Sequence, residues 1–182
     1  MNGRSIYLAL FSIALLAAWV GVAVFIATVM APAAFAVLPT RTLAGALVGR
    51  ALPVLFISGM VIGGAVAVLY SSSARAAAVG GVILLAGNAS AQMIEWRLHT
   101  LLVALGAPID SLAITDPRRI EFGRLHGVSV LLMAVGMLGA MAALVALMRR
   151  IQATTSAPHT FPSEHSDALS SRLASSPTRL IA

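Results

Sequence analysis

Residues 6–30 have the sequence IYLALFSIALLAAWVGVAVFIATVM and contain no charged side chain. A helix needs roughly 20 apolar residues, each rising about 1.5 Å, to cross the hydrocarbon core of a bilayer. This stretch is long enough for that, and it is too long for the apolar core of an ordinary signal peptide. We therefore interpret it as an uncleaved first membrane span.

Three further apolar segments follow the first, at about residues 52–70, 76–96 and 125–148. Together the four segments predict an all-α integral membrane protein, a four-helix bundle that occupies residues 1–150. Residues 151–182 are rich in Ser, Pro and Thr and have too few apolar side chains to form a core. Such a composition is typical of a disordered tail.

The composition excludes several classes of protein. Hydrophobic residues make up 59% of the chain and charged residues only 10%, whereas a soluble domain carries about a quarter charged residues. The net charge of +6 comes from arginines scattered between apolar blocks, which is typical of juxtamembrane positions and not of a nucleic-acid-binding face. The chain has no cysteine, and no serine lies in a nucleophile motif. We therefore predict no catalytic residues, no metal ligands and no bound cofactor.

Prolines and a threonine mark the connection between the first two spans. Pro32 is expected to end or kink the first helix. Thr40 is placed to cap a helix over residues 41–52, and Pro53 is expected to kink that helix or divide it from the second span.

Glycines in the same region predict close contacts between helices. Gly45 and Gly49 form one small-xxx-small pair, and Gly59 and Gly63 form another. Such pairs let helix backbones approach closely within a bilayer. They are expected mainly to pack the bundle, and they also make self-association into a homo-oligomer plausible.

Four spans of alternating direction divide the polar residues between two membrane faces. The tail face collects Arg4, Arg75 and the Arg149-Arg150 pair, with no acid nearby. The loop face collects six arginines and four acids, and several of these arginines lie within predicted helices beside an acid. The free arginines of the tail face then favour both termini in the cytoplasm, although the raw count of arginines favours the loop face there.

The most informative pattern is a polar stripe on the third span. Asn88, Gln92, Glu95 and His99 are spaced by four, three and four residues and so share one face of a helix. Polar residues at membrane depth usually face the interior of a bundle or a water-filled cavity. The alternating direction of the spans brings further polar residues to the same leaflet. The candidate polar cluster comprises Arg50, Asn88, Gln92, Glu95, His99, Arg124 and His126.

Three interpretations of this cluster stay open. In the first, Glu95 pairs with Arg124 or Arg50, and the two amides fix the register of the helices. In the second, the stripe lines a polar pocket or half-channel for an ion or small solute, with Glu95 or a histidine as the protonatable group. In the third, His99 and His126 bind a metal or a haem.

The chain resembles the family of transmembrane protein 205 and its bacterial relatives. The resemblance covers roughly residues 6–148, and several short motifs carry it. These are Trp19-Val20-Gly21, the Ala31-Pro32-Ala33-Ala34-Phe35 turn, Leu38-Pro39-Thr40-Arg41, the 44–50 segment AGALVGR and the 122–129 segment FGRLHGVS. The resemblance implies a four-helix membrane domain of unknown function, and it carries over no catalytic residues. Because the chain lacks cysteine, thiolate-based metal transport is excluded.

These observations predict a non-enzymatic membrane component that forms a small-solute or ion pathway on self-association, in the inner (plasma) membrane of a bacterium. Its expected partners are the lipid bilayer and a second copy of the chain. A metal- or haem-binding redox protein that uses His99 and His126 is one alternative. A structural partner of another membrane complex is the other.

Overall fold

The computed structural model describes residues 3–155, and within that range it contains helices and no strands. The helices are long and apolar enough to cross a membrane four times. This confirms the predicted all-α membrane bundle. The elements are α1 (Gly3–Phe25), a π-helical turn (Ile26–Met30), α2 (Ala31–Val37), α3 (Arg41–Tyr70), α4 (Arg75–Leu105), a 3-10 turn (Ile109–Ser111) and α5 (Pro117–Thr155).

Each membrane-crossing segment is longer than the predicted span: 3–37, 41–70, 75–105 and 117–154, against 6–30, 52–70, 76–96 and 125–148. Helix α5 also includes residues 151–155, which the sequence analysis assigns to the tail. The predicted disorder of residues 156–182 concerns a segment outside the described residues.

Neither Pro32 nor Pro53 ends a membrane-crossing segment. Pro32 lies in the first turn of α2, where its missing N–H costs little, and the π-helical turn before it keeps the first span helical to Val37. Pro53 lies inside the continuous helix α3 and does not divide it. Prolines are tolerated in membrane helices because only one backbone hydrogen bond is lost and neighbouring groups compensate for it.

Three local signals set the helix ends on the loop face. The Thr40 hydroxyl accepts a hydrogen bond from the backbone N–H of Leu43 (3.2 Å), so the predicted cap of α3 is confirmed. Helix α4 ends at Gly106, whose φ of 60° lies in the left-handed region that glycine adopts without strain. Asp116 caps α5, because its carboxylate accepts the backbone N–H of Arg118 (2.9 Å).

Asp116 gives a first testable prediction. Hydrogen bonds from the Arg118 guanidinium, and next from the Arg118 backbone N–H, hold the pKa of Asp116 below its ordinary value. The cap therefore stabilises α5 above the pKa of Asp116 in the unfolded chain, and this contribution is lost as the pH falls through the lowered pKa. In Arg118→Ala we expect the titration midpoint of Asp116, followed by the NMR shift of its carboxyl carbon, to move up. An unchanged midpoint would contradict this assignment.

The four spans form a ring in which α4 packs along both α3 and α5, and α1 closes the ring against α5 and α3. Fully buried side chains such as Leu16, Phe56, Leu84 and Leu147 fill its centre. The indole N–H of Trp19 donates to the carbonyl of Leu55 (2.9 Å), which ties α1 to α3.

Glycines bring α4 into backbone contact with both of its neighbours. A Cβ added to Gly63 of α3 would lie 2.7 Å from the carbonyl oxygen of Gly81. A Cβ added to Gly80 would lie 2.6 Å from the carbonyl oxygen of Gly139 in α5. Of the two predicted glycine pairs, Gly59 and Gly63 lie at a helix interface, whereas nothing would crowd a Cβ at Gly45.

Candidate functional site

Three polar residues of α4, Asn88, Gln92 and Glu95, form a column that faces the junction of α3, α4 and α5. Asn88 is the inner end of the column, and Glu95 lies nearer the loop face. A Cβ added to Gly49 of α3 would lie 3.9 Å from the Oε1 atom of Glu95, which places this carboxylate beside α3. We call these three residues the acceptor column.

Asn88 is fully buried between two glycines. Its amide group lies 2.8–2.9 Å from where a Cβ of Gly59 in α3 would be, and its Nδ2 atom lies 2.8 Å from the corresponding position of Gly136 in α5. The same Nδ2 donates to the carbonyl of Leu84 one turn earlier in α4 (2.8 Å). The side chain therefore fits this junction only because both facing residues are glycines.

The acceptor column carries three buried oxygens that no donor of the described residues reaches. These are Oδ1 of Asn88, Oε1 of Gln92 and Oε2 of Glu95. A buried polar atom without a hydrogen bond costs roughly 1–3 kcal/mol, so three of them on one helix face are a substantial cost for a structure to carry. Each of the three oxygens can accept a hydrogen bond or contact a positive charge, and the Glu95 carboxylate can also take up a proton.

The residues close to Glu95 are histidines and not arginines. Both His126 of α5 and His99 of α4 lie close enough to act electrostatically on the carboxylate. Among the described residues the only ion pair joins Arg118 to Asp116 (2.9 Å). The described residues therefore contain no ion pair between Glu95 and Arg50 or Arg124. Glycine at position 49 leaves Glu95 beside the backbone of α3, while both arginines lie on the outside of the bundle.

The other members of the candidate cluster surround the column at the loop face. Arg50, His99, Arg124 and His126 are all exposed on the surface of the bundle. The ring of His126 stacks on that of Phe122, with centroids 6.3 Å apart and planes within 2°. The structure thus brings Asn88, Gln92 and Glu95 together inside the bundle. The two histidines lie on the surface within electrostatic reach of Glu95, and the two arginines also lie on the surface.

Residues 3–155 contain no group of three His, Asp or Glu side chains arranged to hold a metal ion. Glu95, His99 and His126 therefore do not form a three-ligand metal site in this structure.

The half of the bundle towards the tail face is closed. There α4 lies in backbone contact with α3 at Gly81 and with α5 at Gly80. Near the tail-face end, the buried hydroxyl of Tyr70 lies 3.2 Å from that of Ser12, and the Arg150 guanidinium lies 5.9 Å from the centre of the Tyr70 ring. The inner end of the acceptor column, at Asn88, therefore lies next to the half of the bundle in which the helix backbones are in contact.

Of the glycines that shape this junction, only Gly59 was identified from the sequence as a packing residue. Gly136 and Gly59 make room for Asn88, while Gly80, Gly81 and Gly139 seal the bundle below it. The available signal was the excess of glycine and alanine along α4 and α5, because small residues in a membrane helix mark close contacts.

Fold and site together define an integral membrane protein, a four-helix bundle with a buried polar column on α4. Residues 14–108, more than half of the chain, match the domain of unknown function DUF4149, and the chain belongs to that family. The matched region runs from α1 to just beyond α4, so it includes the whole acceptor column. Neither the curated proteins nor the solved structures contain a match to this chain.

Proposed function

We propose that this chain is a non-enzymatic membrane protein that takes up a proton or a small cation from the loop face and holds it at the acceptor column. The observation that carries the proposal is the row of three buried oxygens without a donor. In an apolar bundle such atoms are stabilised by a positive charge or by a proton. Ionisable residues within membrane spans often mark ion and proton pathways.

The end of the acceptor column nearest the loop face, at Glu95, suits a proton or cation that arrives from water. Glu95 supplies a negative charge, and His99 and His126 lie within electrostatic reach of it. Histidine changes its charge near neutral pH, so the pair can pass protons between the loop face and the carboxylate. A cation bound at Glu95 would exchange part of its water shell for oxygens of Glu95 and Gln92, which lie within one turn of α4.

Transport across the membrane requires more than one protomer in this proposal. The glycine contacts below Asn88 leave no path through a single bundle. In an oligomer, a pathway could instead run between neighbouring protomers. Nothing lies within 4 Å of a Cβ added to Gly45, so this glycine offers a surface on which a helix of a second copy can pack closely.

The finer family assignment and the location belong to the same proposal. The proline turn at residues 31–35 and the Arg124-Leu125-His126 entry of α5 support a place among the bacterial relatives of transmembrane protein 205. We propose the bacterial inner membrane as its location, with both termini in the cytoplasm, because the arginines beside the helix ends of the tail face lack acidic neighbours.

Reconstituted vesicles test the proposed uptake. We expect wild-type protein to conduct protons or a monovalent cation, with a flux that rises more steeply than linearly with the protein-to-lipid ratio. A pH-sensitive dye inside the vesicles reports protons, and a potassium- or sodium-sensitive dye reports cations. Glu95→Gln should reduce the flux to that of protein-free vesicles, because it removes the charged and protonatable group but keeps the shape.

Glu121→Gln is the matched control, since Glu121 is an exposed acid on the same side of the bundle. It should conduct as the wild type does. Equal flux in both variants, or no flux at any protein-to-lipid ratio, would overturn the proposal.

A further inference from the structure

A second feature of the bundle lies on its outer surface, away from the acceptor column. Helices α1 and α3 enclose an apolar groove of about 430 Å³. Its walls include Ala18, Trp19 and Val22 from α1 and Ala51, Val54 and Ile62 from α3. Volumes of roughly 300–1,000 Å³ are typical of sites that bind small ligands.

The polar groups at the base of the groove are already paired with each other. The Trp19 indole N–H and the Ser58 hydroxyl both donate to the carbonyl of Leu55, each at 2.9 Å. The groove therefore offers an occupant apolar contact and no vacant hydrogen bond. An alkyl chain meets that requirement.

The length and depth of the groove match one leaflet of a bilayer. The rise from Ala51 to Ile62 along α3 is about 16 Å, close to half of the roughly 30 Å hydrocarbon thickness. A helix crosses the hydrocarbon core in roughly 20 residues. If Tyr70 lies at the tail-face boundary of the core, the loop-face boundary therefore lies at Arg50. The groove thus begins where the headgroups of the loop-face leaflet begin and ends near the bilayer centre.

Arg50 supplies a positive charge at the headgroup end. It lies four residues before Val54 and so one turn above it on the same side of α3, and its side chain is exposed. Side chains in a helix lean towards its N-terminus, which for Arg50 is towards the headgroups. Within residues 3–155 no acid pairs with it.

From this charge, length and apolar lining we infer that the groove is a binding site for an anionic phospholipid of the loop-face leaflet, with one acyl chain between α1 and α3 and the phosphate at Arg50. A helix of a second copy fits less well. At roughly 10 Å in diameter, it would lie across the groove and not fill it.

Fluorescence quenching by brominated lipids tests this inference, because the chain has only two tryptophans and Trp19 lines the groove. In a Trp96→Phe background we expect brominated phosphatidylglycerol to quench Trp19 at a lower mole fraction than brominated phosphatidylcholine. Arg50→Gln should abolish that preference, and Arg50→Lys should keep it. Arg97→Gln, which removes an exposed arginine of α4, should leave it unchanged.

A groove-filling variant tests the position of the acyl chain. Ala18→Phe should reduce quenching by both lipids, whereas Ala142→Phe, on the exposed side of α5, should not; circular dichroism checks that each variant is folded. Equal quenching by the two lipids in the wild type, or a preference that survives Arg50→Gln, would overturn the inference. A second copy of the chain in the groove would exclude both lipids. Quenching of Trp19 that falls for both lipids as the protein-to-lipid ratio rises would therefore overturn the inference in favour of self-association.

Discussion

Gly63→Ala should destabilise the bundle by about 1–3 kcal/mol, the range typical of an overpacked core. The added methyl group would lie 2.7 Å from the carbonyl oxygen of Gly81 and from the backbone nitrogen of Leu85. Both atoms belong to the backbone of α4, so no side chain can rotate away and the two helices must separate. The free energy of unfolding in mixed micelles, followed by circular dichroism during titration with dodecyl sulfate, measures the effect.

The neighbouring residue provides a matched control. Nothing lies within 4 Å of a Cβ added to Gly64. Gly64→Ala should therefore leave stability unchanged or raise it by up to about 1 kcal/mol, because alanine favours a helix more than glycine does. Similar losses in the two variants would mean that α3 and α4 do not meet at Gly63.

Substitutions of Asn88 should have a comparable effect, and its sign should depend on the shape of the replacement. Asn88→Ala leaves a void between Gly59 and Gly136 and removes the bond to the Leu84 carbonyl. We expect a loss of about 2–3 kcal/mol, as for other large-to-small changes in a core. Asn88→Leu keeps the branched shape and removes an unpaired buried oxygen. It should be at least as stable as the wild type.

The same measurement in mixed micelles compares the two variants. If Asn88→Leu is destabilised as much as Asn88→Ala, the amide oxygen of Asn88 has a hydrogen-bond donor in the wild type. Asn88 would then not belong to the acceptor column. If both variants match the wild type, Asn88 does not pack between the glycines.

Much of the fold follows from the sequence because membrane thickness imposes a simple rule. An uncharged stretch such as residues 6–30 has one stable conformation in hydrocarbon, a helix that satisfies its own backbone. The effect of the prolines did not follow in the same way. Pro53 carries the same local penalty in any helix, but packing of α3 against its neighbours outweighs it, and packing is not a local property.

Only part of the site could be predicted, because a sequence pattern describes one helix and not its neighbours. Helical periodicity placed Asn88, Gln92 and Glu95 on one face, and the structure turns that face inwards. Periodicity gives no information about the helix opposite. It could not show that Gly49 lies beside Glu95, nor that Arg50 lies on the outside of α3. An arginine and a glutamate at the same depth therefore looked like a pair, although they are not one.

The glycine contacts also explain why the acceptor column ends where it does. On the loop-face side of Asn88, the only atom within 4 Å of a Cβ added to Gly49 of α3 is Oε1 of Glu95, so no backbone atom of α4 lies that close. Below Asn88, Gly80 and Gly81 let the helix backbones meet. The same helix thus combines a polar half and a sealed half, and the change between them lies close to Gly87 and Asn88.

Thiol labelling tests the central claim, the proposed uptake of a proton or cation at the acceptor column from the loop face alone, most directly. The chain has no cysteine, so single variants have no background. Glu95→Cys should react with a membrane-impermeant maleimide only from the side that labels the loop variant Thr115→Cys, and Leu84→Cys should react from neither side. Labelling of Glu95→Cys from the side that labels Ser72→Cys, in the turn of the tail face, or its complete protection, would contradict the account.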